Sequence, residues 1–139
     1  MARNTARRSD QRESGQATVE FGVMLMMLMT LVVAALEFGR AWNASTIVTQ
    51  ASREGARVAA VSCSINPACS TAVDTSVTNA LTGLDLAAAA WTVTPGPYVS
   101  GSAVTVHVDY SVTPVSPLVA GLIPGGVFTI ASDTTMRLE

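Results

Sequence analysis

Glu20 stands at the entry of a long apolar run, and an ionised carboxylate there needs an explanation. At the centre of a membrane helix such a group costs about 2.5–3.5 kcal/mol on insertion scales. A second cluster that could do chemistry is Val-His107-Val-Asp109, where a histidine and an aspartate share one face of a strand and Asp133 could join them. Residues at i,i+2 make at most a partial metal site, and the alternation around them assigns that face to solvent. His107 therefore reads as a solvated surface histidine. No Gly-x-Ser-x-Gly, His-Glu-x-x-His or phosphate loop occurs, so no catalytic residue, metal or cofactor is expected.

The elements around Glu20 are better defined. Phe21 to Leu36 is a stretch of sixteen uncharged residues, FGVMLMMLMTLVVAAL. Extended back to Ala17 it reaches about twenty residues, roughly 30 Å of helix, enough to span a bilayer core. The net charge of −2 divides: four arginines against Asp10 and Glu13 give +2 over residues 1–15, and four arginines against eight acids give −4 over the rest. A basic arm ahead of an apolar run fits an N-terminus on the cytoplasmic side. The acidic, lysine-free remainder lacks the basic face that nucleic acid requires. Cys63 and Cys69, in CSINPAC, most simply form a disulfide closing a tight loop on the far side of that membrane. Two unpaired thiols are the alternative, and a metal site is weaker still because the only histidine is remote in sequence.

Residues 1–15 are polar and aperiodic, and read as a disordered leader. A helix is expected from Gly15 or Gln16 onward. Its spacing continues through EFGRAWNASTIVTQASREGARVAAVS, where Phe38, Ala41, Trp42, Ser45, Val48, Ala51 or Ser52, Gly55, Val58 and Ala59 recur at threes and fours. That predicts one helix of about 45 residues, apolar all round in its first half and amphipathic in its second. Glu37 with Arg40, and Glu54 with Arg57, can pair across one turn. Gly39 and Gly55 are costly inside a helix and point to close packing. Trp42 and Trp91 read as core or membrane-interface residues. Pro67 and the cysteine loop end the helix.

Beyond the loop, residues 70–83 predict a short second helix closed by Gly83, with Ala72 or Val73, Val77, Ala80 or Leu81, and Leu84 on one face. The period then changes to two: strands are expected at 91–95, 103–115 and 127–139, with Pro95, Gly96, Pro97 and Gly101 in the first connection and one helical turn in SPLVAGLIPGG. The fold class is α+β: a long N-terminal helix, a short second helix and a small three-stranded antiparallel sheet. The organisation is a basic leader at 1–15, a transmembrane part at 16–37, and an extracytoplasmic domain at 38–139 that includes the amphipathic half of the helix.

Three readings of Glu20 compete. The run is a signal peptide cut after Val33-Ala34-Ala35, or a plain anchor with Glu20 hydrated in the headgroup layer, or a processed helix. The third rests on a resemblance. Gly15-Gln16-Ala17-Thr18-Val19-Glu20 has the glycine-x4-glutamate spacing of type IV prepilins, and with Glu37-Phe38-Gly39-Arg40 and Arg53-Glu54-Gly55-Ala56-Arg57 the stretch 15–61 resembles the TadE/TadG-like family of tight-adherence pilus proteins.

The resemblance implies a pilin-like fold and cleavage after Gly15 by a prepilin peptidase. It implies that Gln16 becomes the new N-terminus, its amine close enough in a neighbouring subunit to pair with Glu20. It also implies a cytoplasmic (inner) membrane protein, single-pass, N-terminus inside and C-terminal domain outside, or in the extracellular pilus. Its partners would be the membrane, the peptidase, other pilins or pseudopilins and inner-membrane assembly proteins. Major pilins of that system lack a globular domain, so this chain resembles an accessory, non-catalytic pseudopilin. The family often carries a proline early in the apolar helix, and none occurs here. The alternative is an uncleaved single-pass protein whose outer domain binds a ligand or surface partner.

Overall fold

The computed structural model describes residues 3–65, 69–94 and 97–139, with side chains from Gly15 onward and excepting Leu118. The elements in order are α1 (Arg3–Ile65), α2 (Ser70–Ala80), a 3-10 turn (Leu86–Ala88), β1 (Ala89–Val93), β2 (Ala103–Val112), α3 (Pro117–Leu122), a second 3-10 turn (Pro124–Gly126) and β3 (Phe128–Arg137). The α+β pattern read from the sequence is the pattern found. Two compact units result, Met1–Glu37 and Phe38–Glu139.

In the first unit, α1 begins at Arg3 rather than near Gly15, and is 63 residues long in all. Residues 3–14 hold neither proline nor glycine. Extending a helix that already exists avoids the nucleation cost, so a polar stretch with no pattern of its own follows its neighbour. The side chains of the arginine leader lie outside the described residues. From Gly15 the helix is long and apolar enough to cross a membrane: its most apolar 18-residue window has a mean hydropathy of 2.3 and is 0% buried. Even Thr30 fits hydrocarbon, because its hydroxyl donates to the Met26 carbonyl at 2.9 Å.

The second unit is built on a sheet in the order β1-β2-β3, antiparallel throughout. β1 pairs with β2 from Ala89↔Tyr110 to Val93↔Val106. β2 pairs with β3 along its whole length, from Ala103↔Arg137 to Val112↔Phe128. Alternation sends Val104, Val106, Val108 and Val112 inward. β2 stops at Val112, three residues short of the expected 115, because Pro114 offers no N–H to a ladder. β1 sits two residues earlier than expected, and Pro95 and Gly96 lie outside the described residues.

The core forms where small residues of α1 meet the sheet and α2. Ala44, Val48, Ala51, Ser52, Gly55, Ala56, Ala59, Ala60 and Cys63 are buried at steps of three and four, opposite Val73, Val77 and Leu81. The stripe from Val48 onward agrees with the expected one, but its start does not. Phe38 and Trp42 are 68% and 67% exposed, and Ala44 is buried instead. One residue is a turn of about 100° around a helix, so a stripe that begins with bulky aromatics is displaced when the sheet selects small side chains for close approach.

Gly55 shows why. An added Cβ there would lie 2.6 Å from Val77 Cγ2 and 3.1 Å from Val106 Cγ1, so three elements converge on a position that holds only a hydrogen. Gly39, also expected to mark close packing, has nothing within 4 Å. Ser52 is wholly buried yet satisfied: its hydroxyl donates to Thr49 O at 3.0 Å and lies 3.0 Å from Ser132 Oγ and 2.9 Å from Thr134 Oγ1. One donor and two acceptor lone pairs fit that arrangement. α2 ends at Ala80 rather than at Gly83, which occupies the turn beyond at φ +95°. Of the paired options on its face, Val73 and Leu81 are the buried ones.

Candidate functional site

The residues singled out for processing all lie on α1. Gly15, Gln16 and Glu20 are exposed, and nothing stands within 4 Å of where a Gly15 Cβ would be. Further along, Glu37 is half-buried, while Phe38, Gly39 and Arg40 are exposed. Phe38 and Trp42 form a tilted ring pair with centroids 6.1 Å apart.

Arg53-Glu54-Gly55-Ala56-Arg57 divides by periodicity into two functions. Gly55 and Ala56 face the core, Arg53 and Arg57 face out, and Glu54 lies at the boundary. Arg57 grips Glu54 with two N–H groups, Nη2 to Oε1 at 2.6 Å and Nε to Oε2 at 3.0 Å. That hydrogen bond holds the Glu54 carboxyl below the usual carboxylate range and raises Arg57. Both groups are in contact with water, so the pair orders the helix surface and adds little to stability.

Where α1 ends, Cys63 and Cys69 form a disulfide with Cα atoms 5.0 Å apart. The bond ties the last turn of α1 to the residue preceding α2, and both cysteines are buried. No cysteine is left free among the described residues.

Residues 15–57 match the TadE-like protein family. The matched segment starts at Gly15, takes in the whole uncharged run, and ends on the arginine that grips Glu54. No curated protein and no solved structure matches the chain. Over this segment, about a third of its length, the chain is thus similar to TadE-like proteins. The disulfide, the sheet and α2 all lie beyond the matched residues.

Outside the TadE-like segment, the structure changes the reading of His107 and takes the core option for Trp91. His107 is not simply solvated: Nδ1 lies 2.5 Å from Asp133 Oδ1 and Nε2 lies 2.9 Å from Asp109 Oδ2. Both nitrogens donate only in the imidazolium form. The ring stands between the two carboxylates, so the three do not face one point, and no group of three metal-ligating side chains occurs among the described residues. The cue was present in the sequence, but the β2–β3 register that sets His107 opposite Asp133 was not. Trp91 is half-buried, with Nε1 donating to Asp74 Oδ1 at 2.8 Å, which fastens β1 to α2.

The His107 pKa is raised, first by its hydrogen bond to Asp133 and against some desolvation. A raised folded pKa means a stabilising contribution that is whole below the unfolded value of about 6.5 and lost as pH rises through the folded value. As His107 is the only histidine, an NMR titration reads it directly. Its midpoint should lie above 6.5 and fall in Asp133→Asn; an unshifted midpoint would show that the contact is absent in solution.

Proposed function

We propose that the chain is a non-catalytic minor pseudopilin, an assembly component of a Tad-type (Flp) pilus. Residues 16–37 hold it in the cytoplasmic membrane, its arginine leader stays inside, and Phe38–Glu139 stands outside. The observation that carries this reading is that the TadE-like match takes in an apolar helical run with no buried residue, long enough to cross a membrane. The disulfide agrees with the outer side, because such bonds persist in oxidising compartments.

Processing follows from the same segment. A prepilin peptidase cuts after Gly15, where glycine weakens the helix by about 1 kcal/mol relative to alanine and lowers the cost of exposing the peptide bond. The freed amine of Gln16 then pairs with Glu20 of a neighbouring subunit, offsetting the desolvation of that carboxylate and fixing the stagger between copies. Arg53, exposed beside the Glu54–Arg57 pair, is the arginine of this stretch offered to other pilins or to inner-membrane assembly proteins.

Intact-mass analysis of protein from cells with and without a prepilin peptidase tests the reading. Loss of residues 1–15, leaving 124 residues that begin at Gln16, is the expected result. Persistent full-length chain in the presence of an active peptidase would instead leave an uncleaved single-pass protein whose outer unit binds a ligand or surface partner. A cyclised N-terminal Gln16, visible as loss of ammonia, would retain the cleavage but remove the ion pair.

A further inference from the structure

Phe38 and Trp42 stand outside the core formed by the described residues. They are four residues apart on one face of α1, with two-thirds of each surface exposed. The other aromatic residues of the second unit, Trp91, Tyr98, Tyr110 and Phe128, are all partly buried. The two tryptophans differ further. Trp91 spends its indole N–H on Asp74, whereas that of Trp42 meets no acceptor among the described residues.

The chemistry of the helical face on which they lie changes in a definite order. At steps of three and four, Leu31, Ala35, Phe38, Trp42, Thr46, Thr49 and Arg53 pass from aliphatic through aromatic to hydroxyl and guanidinium. Hydrocarbon, headgroup layer and water follow one another in the same order on leaving a bilayer, and tryptophan concentrates in the middle zone. The hydroxyls of Thr46 and Thr49 donate to the carbonyls of Trp42 and Ser45 at 3.0 and 2.8 Å, so they need no partner beyond the helix.

We propose that Phe38 and Trp42 sit in the outer headgroup layer of the membrane that residues 16–37 cross, and that they set how far α1 stands out of it. The proposal rests on the anchor reading above. A phospholipid interface suits both halves of the pair. The Phe38 ring and the body of Trp42 are apolar, and the indole N–H can donate to ester or phosphate oxygens.

Depth-dependent quenching tests it on the full chain in phosphatidylcholine–phosphatidylglycerol vesicles. Trp91→Phe leaves Trp42 as the only indole. Lipids brominated near the glycerol should quench its emission by about twofold, as befits the aromatic belt, and lipids brominated near the terminal methyls should quench it less. In Trp42→Phe the remaining Trp91 should be unaffected by either lipid. If Trp91→Phe does not fold, the bromine-sensitive fraction of the parent chain should vanish in Trp42→Phe. Protein that floats with the vesicles while Trp42 ignores both lipids would overturn the headgroup seat and leave the anchor intact. Acrylamide would then tell a water-exposed indole from one covered by a second copy or another protein. Failure to float would overturn both.

Discussion

Gly55→Val should be the most damaging single substitution in the second unit. A β-carbon at this position would stand 2.6 Å from Val77 Cγ2, closer than real contacts allow, and 3.1 Å from Val106 Cγ1. Overpacking of a tight core costs about 1–3 kcal/mol. Alanine recovers part of that, since it improves on glycine in a helix interior by about 1 kcal/mol. Valine recovers less and adds two methyl groups, so its net loss should reach about 3 kcal/mol. Urea unfolding of the full chain in detergent, followed by circular dichroism, should show the midpoint falling in the order wild type, Gly55→Ala, Gly55→Val. Val77→Ala should make room, so the pair Gly55→Ala and Val77→Ala should be more stable than the sum of the single losses predicts. Parental stability in Gly55→Val would mean that α1 does not approach α2 and β2 as described.

Breaking the Cys63–Cys69 bond should have the next largest effect. Closing so short a loop contributes about 2 kcal/mol by the chain-entropy account. The unit it serves has only about a hundred residues and a core made largely of alanine and valine, so that loss is a sizeable share of its stability. Reductant should lower the melting temperature of the parent chain, while Cys63→Ala with Cys69→Ala should start low and ignore reductant. An unchanged parental melting curve under full reduction would show that packing alone holds α2 against the end of α1.

The contrast between what was and was not legible in the sequence follows from the range of the forces involved. Val104, Val106 and Val108 alternate within one strand, so β2 and its buried face are local information. The apolar run is equally local, as is the disulfide, whose partners are six residues apart. Trp42 was harder, because hydrophobicity alone does not say whether a ring faces a sheet or lipid. Ala44 is buried in place of its bulkier neighbours because the sheet admits a close helix, a decision taken by residues some sixty positions away. His107 and Asp133 meet only through strand register, which periodicity does not encode. The start of α1 was missed for the opposite reason: an established helix continues through residues that would not begin one.

Ser52 has a consequence for the order of events during synthesis. Its hydroxyl partner Ser132 lies 80 residues further along the chain. At ribosomal rates of about 5–20 residues per second, Ser52 emerges roughly 4–16 s before its partner in β3. α2 and β2 emerge sooner and cover Gly55 through Val77 and Val106, so until β3 arrives the stretch around Ser52 is the part still incomplete. A chain interrupted before Phe128 would therefore lose more than a strand: the buried hydroxyl of Ser52 would be left without both of its partners from β3.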